Sequence, residues 1–390
     1  MRDVFVVSAV RTPVGKQKGY LREWMSPELL ATSLNAAVDK AGIKPELVDD
    51  VIAGTVYQVG EQGFTLARMG VLASKFPISV PGISVNRQCG SGLSAIQLAA
   101  GMIASGTMDC VIAAGCEMLT KYGMASDLLG TLSNGKPMNH PFGKFYTEKY
   151  GFPDQIVAAH MIAKQWKITK EECQEFAVQS HMKAHAATQA GHFKNEIIPT
   201  KGVDAEGKEI VRDTDEPIRP ETSLDSLNAL KILPNTEWMT AGLSSTITDG
   251  SSAMMLAGEN FVKKHNLKPL ARIVGSAVSG SDPLLMLTGP LYATPKVLAK
   301  TGLAMQDIDI FEINEAFAPI PLAWVKELKA DTSRLNVNGG ALALGHPVGN
   351  SGCRLAVTAV HELQRRKARY ALVSLCTGGA MAPATIFERV

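Results

Sequence analysis

Short apolar runs alternate with helix-like segments along most of this chain. The stretch Asp3-Val4-Phe5-Val6-Val7 reads as a β-strand, and Val51-Ile52-Ala53, Val111-Ile112-Ala113-Ala114 and Tyr370-Ala371-Leu372-Val373-Ser374 read the same way. Strands spaced by helices predict a layered α/β architecture with mainly parallel sheets. One segment, from Leu93 through Ala95, Ile96, Leu98, Ala99, Met102, Ile103 and Ala104, is apolar nearly all round. Such a helix is expected to be buried, not to lie at a surface.

Three features of the first half recur in order in the last third. Ala41-Gly42-Ile43 followed by the strand at Val51 is echoed by Lys300-Thr301-Gly302-Leu303 followed by Ile308-Asp309-Ile310-Phe311. Ser84-Val85-Asn86, leading into Cys89-Gly90-Ser91-Gly92 and a helix, is echoed by Asn336-Val337-Asn338, leading through a glycine-rich loop into Gly349-Asn350-Ser351-Gly352. The strand ending in Gly115-Cys116-Glu117-Met118 is echoed by one ending in Leu375-Cys376-Thr377-Gly378. A duplication explains the roughly constant offset of 252 to 260 residues. It divides the chain into a first half (1–118 plus about 249–267), an insertion (119–248) and a second half (268–390). The two halves are expected to pack their buried helices face to face, bringing Cys89 near the loops of the second half. The insertion is rich in Gly, Pro, Asn, Asp, His and Lys, with helices expected near Asp154–Gln165 and Lys170–Gly191. It has the character of a substrate-binding lid on one face.

Composition narrows the class. The 390 residues are 46% hydrophobic and 19% charged, with a net charge of +2, which suits a globular protein with a large core. So small a charge, with no Lys/Arg run, argues against nucleic acid as a partner. The start lacks the basic and long apolar regions of a signal peptide, no run is long enough for a membrane span, and Glu388-Arg389-Val390 is not a peroxisomal address. A cytoplasmic location and reduced thiols are therefore expected. None of the six cysteines forms a C-x-x-C pair, so no structural zinc is expected. Cys110, Cys116 and Cys353 read as small core residues.

Four residues stand out as candidates for chemistry. Cys89, in Arg87-Gln88-Cys89-Gly90-Ser91-Gly92, lies between a strand and the buried helix. There the helix dipole and free N–H groups favour thiolate over thiol, and Gly90 and Gly92 permit unusual backbone angles. A buried, inert cysteine is the plainer alternative. His346 sits in a tight loop, Gly345-His346-Pro347-Val348-Gly349, and can take a proton from a cysteine near neutral pH; a turn histidine is its alternative. Cys376 ends a strand before Thr377-Gly378-Gly379 and could exchange a proton with a substrate carbon, or be a core cysteine. Backbone N–H groups of Gly378 and Cys89 could bind an oxyanion. Asn314, in Glu312-Ile313-Asn314-Glu315-Ala316, could orient a water or His346, or cap a helix. The other histidines, His140, His160, His181, His185, His192, His265 and His361, read as loop or helix-face residues. His181 and His185 are four apart, but no third metal ligand accompanies them.

Taken together, these stretches resemble the thiolase family. N-R-Q-C-G-S-G-L-S-A-I-Q around Cys89, N-E-A-F-A at Asn314, N-V-N-G-G-A-L-A-L-G-H-P-V-G around His346 and C-T-G-G-A at Cys376 match its signature set, as does the opening V-V-S-A-V-R-T-P-V-G. The resemblance runs from the first strand to the last. It implies a duplicated α-β-α-β-α fold with a loop-domain insertion, acyl-CoA and CoA as substrates, no metal or redox cofactor, and a homodimer or homotetramer. It implies that His346 activates Cys89 to attack a 3-oxoacyl-CoA, that Cys376 protonates the departing acetyl-CoA enolate, and that CoA then takes the acyl group in a ping-pong cycle. Asn314 with a water, and His346, would form one oxyanion hole; the amides of Cys89 and Gly378 would form the other. Arg219, after Ile218, resembles the arginine that packs on the CoA adenine. Ser245 resembles the serine along the pantetheine, and Met286 the methionine lining the acyl pocket.

Departures from the acetoacetyl-CoA type point to a degradative 3-ketoacyl-CoA thiolase with a longer, branched or ring-bearing acyl group. Asp154-Gln155 stand where His-Met is common, Leu243 stands for the Asn of T-A-G-N, and the last motif is not C-x-G-G-G-x-G. An acetoacetyl-CoA thiolase working in the condensing direction is the next reading. A decarboxylating ketosynthase would carry a histidine at Asn314, and a silent acyl carrier would not keep all four candidate residues.

Overall fold

The computed structural model describes residues 2–138, 141–152 and 154–390, so His140 lies outside the described residues. The first part of the chain forms β1 (Val4–Arg11), β2 (Gly15–Lys16), α1 (Ser26–Ala41), β3 (Asp50–Gly54), α2 (Leu66–Leu72), β4 (Ile83–Val85), α3 (Ser91–Ser105) and β5 (Cys110–Met118). The middle forms α4 (Lys144–Tyr150), α5 (Gln155–Gln165), α6 (Lys170–Gln189), β6 (Thr200–Val203), β7 (Glu209–Arg212) and α7 (Leu224–Asn228). The remainder forms β8 (Thr248–Gly258), α8 (Glu259–Lys264), β9 (Ala271–Gly280), α9 (Gly289–Thr301), β10 (Ile310–Ile313), α10 (Pro319–Leu328), α11 (Ala341–Leu344), α12 (Val348–Arg366), β11 (Tyr370–Ser374) and β12 (Met381–Arg389). Both helices expected in the insertion are present. Asp154 caps α5 through its side chain, and Thr169 and Glu172 make a capping box at α6.

The strands follow one path, β10-β11-β12-β9-β1-β8-β5-β3-β4, with β2 on β8. The path joins two sheets through a short β1–β9 contact at Phe5–Arg272 and Val6–Ala271. Strand order repeats across the join: β1-β8-β5-β3 on one side and β9-β12-β11-β10 on the other. Local chemistry repeats with it. Gly42 and Gly302 close α1 and α9 in the left-handed conformation. Asp49 accepts the amides of Asp109 and Cys110, as Asp309 accepts those of Arg369 and Tyr370.

Pairing within the sheets is mixed, against the expectation of mainly parallel strands. Among the named strands of the described residues, β3–β4, β3–β5 and β10–β11 pair in parallel and the others antiparallel. The reason lies in the connections. The chain returns from the insertion into β8, which runs antiparallel between β1 and β5. The short 375–380 link between β11 and β12 allows only an antiparallel pair.

Side-chain alternation assigns the layers. On β5, Val111 and Ala113 face the central cluster, whereas Cys110, Ile112, Ala114, Cys116 and Met118 face the outer cluster under α1 and α2. On the second sheet, Phe311, Ile313, Leu372 and Ile386 pack under α9 and α10. Between the sheets lie α3 and α12, with Leu93, Ile96, Ala99 and Ile103 against Cys353, Leu355, Val357 and Val360. This is the expected α-β-α-β-α layering. The two central helices cross at glycines: a Cβ on Gly92 would meet Cys353 N at 2.6 Å, and one on Gly352 would meet Leu93 N at 2.3 Å. The crossing brings the N-termini of α3 and α12 together at one end of the molecule.

Candidate active site

Cys89 stands just before α3, 8% exposed. Its turn is pinned from several sides. Arg87 N–H donates to Ser91 Oγ at 2.9 Å, Ser91 Oγ donates to Gln88 O at 2.6 Å, and Gln88 N–H donates to Asn86 Oδ1 at 2.8 Å. Gln88 is held at φ 49°, an uncommon conformation for a non-glycine residue, directly before the thiol. Gly90, at φ −86°, does not use glycine's angular freedom; it serves space, since a Cβ there would meet Thr377 Cγ2 at 2.8 Å. The glycines of this turn are therefore explained by close approach, not by unusual angles.

The counterpart turn differs by an inserted loop. The Arg87–Cys89 bridge recurs as Val337–Gly339, so Gly339 holds the place of Cys89, and residues 340–347 intervene before α12. That loop carries His346, 5% exposed. Its Nδ1 lies 2.6 Å from Ser351 Oγ, and Ser351 Oγ donates its one hydrogen to Pro347 O at 3.0 Å. Ser351 can then only accept from His346, so Nδ1 carries the proton and Nε2 keeps its lone pair. Asn314 Nδ2 lies 3.4 Å from that Nε2. Asn314 is fixed by its own N–H to Ser374 O at 3.1 Å, and its buried Oδ1 has no protein partner. It does not cap a helix, because α10 starts at Pro319 with Ala318 as its cap residue.

Cys89, His346 and Cys376 line one inner chamber of about 120 Å³, with Leu119, Phe317 and Val348 in its wall. Burial dominates their protonation. It pushes the Cys89 thiol up to about 11, against the opposing pull of the Gly378 amide and of its own amide. It pulls the His346 imidazole down to about 3, with the Arg354 guanidinium acting in the same direction. It also raises Cys376 well above an ordinary thiol, helped by the nearby Cys89. The thiolate expected from the helix terminus is therefore not the resting form; desolvation outweighs the dipole. The resting site pairs a neutral thiol with a neutral imidazole. The amides of Gly378 and Cys89 both face the Cys89 sulfur.

Two buried carboxylates brace the loops: Glu117, and Glu315 of the polar Asn314-Glu315 pair, which finds the hydrogen-bond partners its burial demands. Glu117 accepts Val56 N–H at 2.7 Å, Tyr57 N–H at 3.2 Å, Gln62 Nε2 at 2.7 Å and Gly349 N–H at 2.9 Å, joining the end of β5 to the start of α12. Glu315 accepts Ser180 Oγ at 2.6 Å, Asn336 Nδ2 at 2.8 Å and Leu342 N–H at 3.1 Å, fixing the loop that leads to His346. A lone acidic residue inside an apolar strand end was the one available signal for Glu117.

The inner chamber opens into a cavity of about 1000 Å³; Met124, Gln155, Ser244, Ser245, Ile247 and Phe317 line both. Arg219 lines the outer cavity, and Ser245 stands at the junction. Met286 does not reach either wall. Held at φ 47°, it packs in the apolar cluster around Cys376, and its neighbour Leu287 faces the chamber instead. His181 Nδ1 accepts the Arg219 N–H at 3.1 Å, and burial, then Arg219, lowers its pKa to about 4. Among the described residues no group of three or more His, Cys, Asp or Glu could hold a metal ion, and no helix is long and apolar enough to cross a membrane.

The family description "Thiolase, N-terminal domain" matches residues 4–260, and "Thiolase, C-terminal domain" matches residues 267–389. A steroid 3-ketoacyl-CoA thiolase of Mycobacterium tuberculosis is 42% identical over 394 residues, spanning 100% of this chain and 95% of its own. An acetyl-CoA acetyltransferase of Cupriavidus necator is 39% identical over 393 residues, with both chains fully covered. The crystal structure of human mitochondrial 3-ketoacyl-CoA thiolase in complex with CoA superimposes with a TM-score of 0.88 at 38% identity, covering 100% of this chain and 98% of the other.

Proposed function

The chain belongs to the thiolase family of acyltransferases, and from that premise we propose that it cleaves a 3-oxoacyl-CoA with CoA, through an acyl group carried on Cys89. The observation that carries the reading is the convergence of two thiols and one imidazole on a chamber continuous with a cavity large enough for a CoA ester. Nε2 of His346 takes the Cys89 proton as the sulfur attacks the 3-keto carbon. The oxygen that becomes negative is met by one of two donor sets: the amides of Cys89 and Gly378, or His346 with a water held by Asn314. The bond between C2 and C3 breaks, and the electron pair left on C2 takes the proton of Cys376, releasing acetyl-CoA. The resulting Cys376 thiolate deprotonates incoming CoA, whose sulfur attacks the acyl-enzyme. Cys89 leaves and recovers its proton from His346. Each enzyme group regains its starting protonation state, with the CoA proton replacing the one Cys376 gave to C2, so no metal or redox cofactor is required.

Arg219 and Ser245 would hold the nucleotide and pantetheine, with Met286 backing the acyl wall through Leu287. We favour the degradative direction with a bulky acyl group. The Asp154-Gln155 and Leu243 departures, the outer cavity and the likeness to a steroid 3-ketoacyl-CoA thiolase support it. The 39% identity to an acetyl-CoA acetyltransferase keeps condensation of acetyl-CoA as the second reading. A homodimer or homotetramer, a cytoplasmic location, and a partition into 1–118 plus 249–267, 119–248 and 268–390 complete the proposal. Incubation with acetyl-CoA should add about 42 mass units at Cys89, as expected for an acetyl-enzyme intermediate. Cys89→Ala should show none, and Cys376→Ser should acylate without turning over. Absence of an adduct on intact Cys89 would overturn the reading. A panel of 3-ketoacyl-CoAs compared by kcat/KM decides the acyl group.

A further inference from the structure

Directly behind His346 lie two charged side chains that the chemistry above does not use. Glu312 is on β10 and Arg354 is on α12, and both are fully buried. Neither carboxylate oxygen of Glu312 and none of the three guanidinium nitrogens of Arg354 hydrogen-bonds another protein group. Their places are not arbitrary. Glu312 precedes Asn314 by two residues, on the same side of a strand that Asn314 prolongs through its bond to Ser374 O. Arg354 follows Ser351 by three residues, one turn along the same helix face. Thr358, the next polar residue on that face, donates to Glu196 at 3.0 Å, and Glu196 is ion-paired with Arg11 at 2.7 Å. A polar layer thus runs between β10 and α12, with Asn314, His346 and Ser351 at its front and Glu312 and Arg354 next behind. Burying an arginine and a glutamate costs several kcal/mol each, and well-packed apolar residues give comparable stability. The fold alone does not call for this pair.

We propose that Glu312 and Arg354 are a positioning pair for the reaction at Cys89, setting the spacing of β10 and α12 and so the alignment of Asn314, His346 and Ser351. Arg354 disfavours protonation of the imidazole. Burial raises Glu312 to about 8, with Arg354 opposing the rise, so once ionised above that pH Glu312 offsets the effect of Arg354. The other groups facing His346 are the two thiols and Asn314; Glu117 and Glu315 lie beyond, each taken up by hydrogen bonds of its own.

The test uses the full chain carrying Arg354→Met, Arg354→Lys or Glu312→Gln, with folding checked by circular dichroism. Arg354→Met should lower kcat by about tenfold or more with the KM for CoA within about twofold, and Arg354→Lys should recover part of the loss. Both kcat and the alkylation of Cys89 by iodoacetamide are read at about pH 9, where Glu312 is ionised; alkylation should speed up in Arg354→Met, where the imidazole takes the thiol proton more readily. It should slow in Glu312→Gln. A purely structural role would not give opposite signs. Should Arg354→Met fail to fold, the near-isosteric Glu312→Gln decides, with slower alkylation and a kcat reduced about fivefold expected. Unchanged kcat and alkylation in folded Glu312→Gln, or shifts of the same sign in both variants, would overturn the proposal. The inference rests on Cys89 and His346 acting together, which acetylation of the wild-type protein tests separately.

Discussion

Replacing Ser351 by alanine isolates the tautomer of His346. Ser351 Oγ has a single hydrogen, which goes to Pro347 O at 3.0 Å, so the 2.6 Å contact to His346 must be Nδ1–H donating to Oγ. Alanine removes that acceptor and leaves a buried N–H without a partner. Such a loss costs about 1–3 kcal/mol, toward the upper end once the ring becomes an imidazolium. Cysteine attack passes through the imidazolium, so acylation of Cys89 should slow by roughly tenfold to a hundredfold. Stability should fall by no more than that penalty, and two features of the helix start limit the loss. Pro347 O keeps the amides of Asn350 and Ser351, both at 2.9 Å, and alanine is the better helix former by about 0.5 kcal/mol. The KM for CoA should stay unchanged, because Ser351 lines neither cavity. Time-resolved mass spectrometry of the Cys89 adduct, beside a thermal melt, reads both quantities. An acylation rate within about twofold of wild type, with an unchanged melt, would show that Ser351 does not set the proton on Nδ1.

Four further outcomes are expected. Arg219→Ala should raise the KM for CoA with little change in kcat, since Arg219 lines the outer cavity and not the chamber; equal losses in kcat and kcat/KM would refute that placement. Gly352→Ala should lower the yield of folded protein despite alanine's helix propensity, because its Cβ would meet Leu93 N at 2.3 Å; a wild-type melting temperature would contradict the crossing. Burial raises Glu117 from an ordinary 4.5 to about 7, so between those values the native state holds a proton that the unfolded chain lacks. The associated stability is present at the low end and is lost as pH rises through about 7, so Glu117→Gln should flatten the fall in melting temperature across that window; an unchanged slope would refute the assignment. Leu119→Ala should open the chamber wall, quicken alkylation of Cys89 and shorten the life of the acetyl-enzyme in the absence of CoA; unchanged decay would mean that Leu119 does not exclude water.

The residues legible in the sequence share a local signature. Cys89, Cys376 and His346 each lie at a strand end or helix start among glycines, and Asn314 directly follows a strand, so a reading along the chain finds them. Residues whose role is created by packing escape such a reading. Ser351 is one hydroxyl in a helix, Glu117 one charge ending an apolar strand, and Glu312 and Arg354 are opposed only because β10 and α12 are neighbours. The outer cavity is assembled from Lys16, Met124, Gln155, Arg219 and Ser245, which no sequence pattern joins. Expectations that failed did so for related reasons. A helix terminus argues for thiolate, but only the folded surroundings reveal how much desolvation opposes it. The β-α-β units argue for parallel strands, but they are silent on the way β8 re-enters the sheet.

Burial of the chamber looks at first like a handicap, since a thiol near 11 facing an imidazole near 3 does not ionise at rest. The charge that matters arises later and elsewhere, on the substrate oxygen, and there the same dryness works in favour of reaction. Fixed amide donors act more strongly in a water-poor site than in solvent and need no rearrangement when charge develops. A thiol that ionises only as it attacks is also spared from alkylation and oxidation between turnovers. The duplicated frame explains how such a site can be both dry and polar. Two central helices start at the same point, one bringing Cys89, while the loop inserted before the other brings His346; α3 keeps an exposed apolar face at Leu98 and Met102, against the expectation of full burial. Behind them a polar layer, with Ser351, Arg354 and Thr358 on one face of α12 and Glu312 on β10, runs beside the apolar centre. Cys89 and His346 thus come from places where the two halves differ, Cys376 from a strand end they share, and the common frame supplies the enclosure.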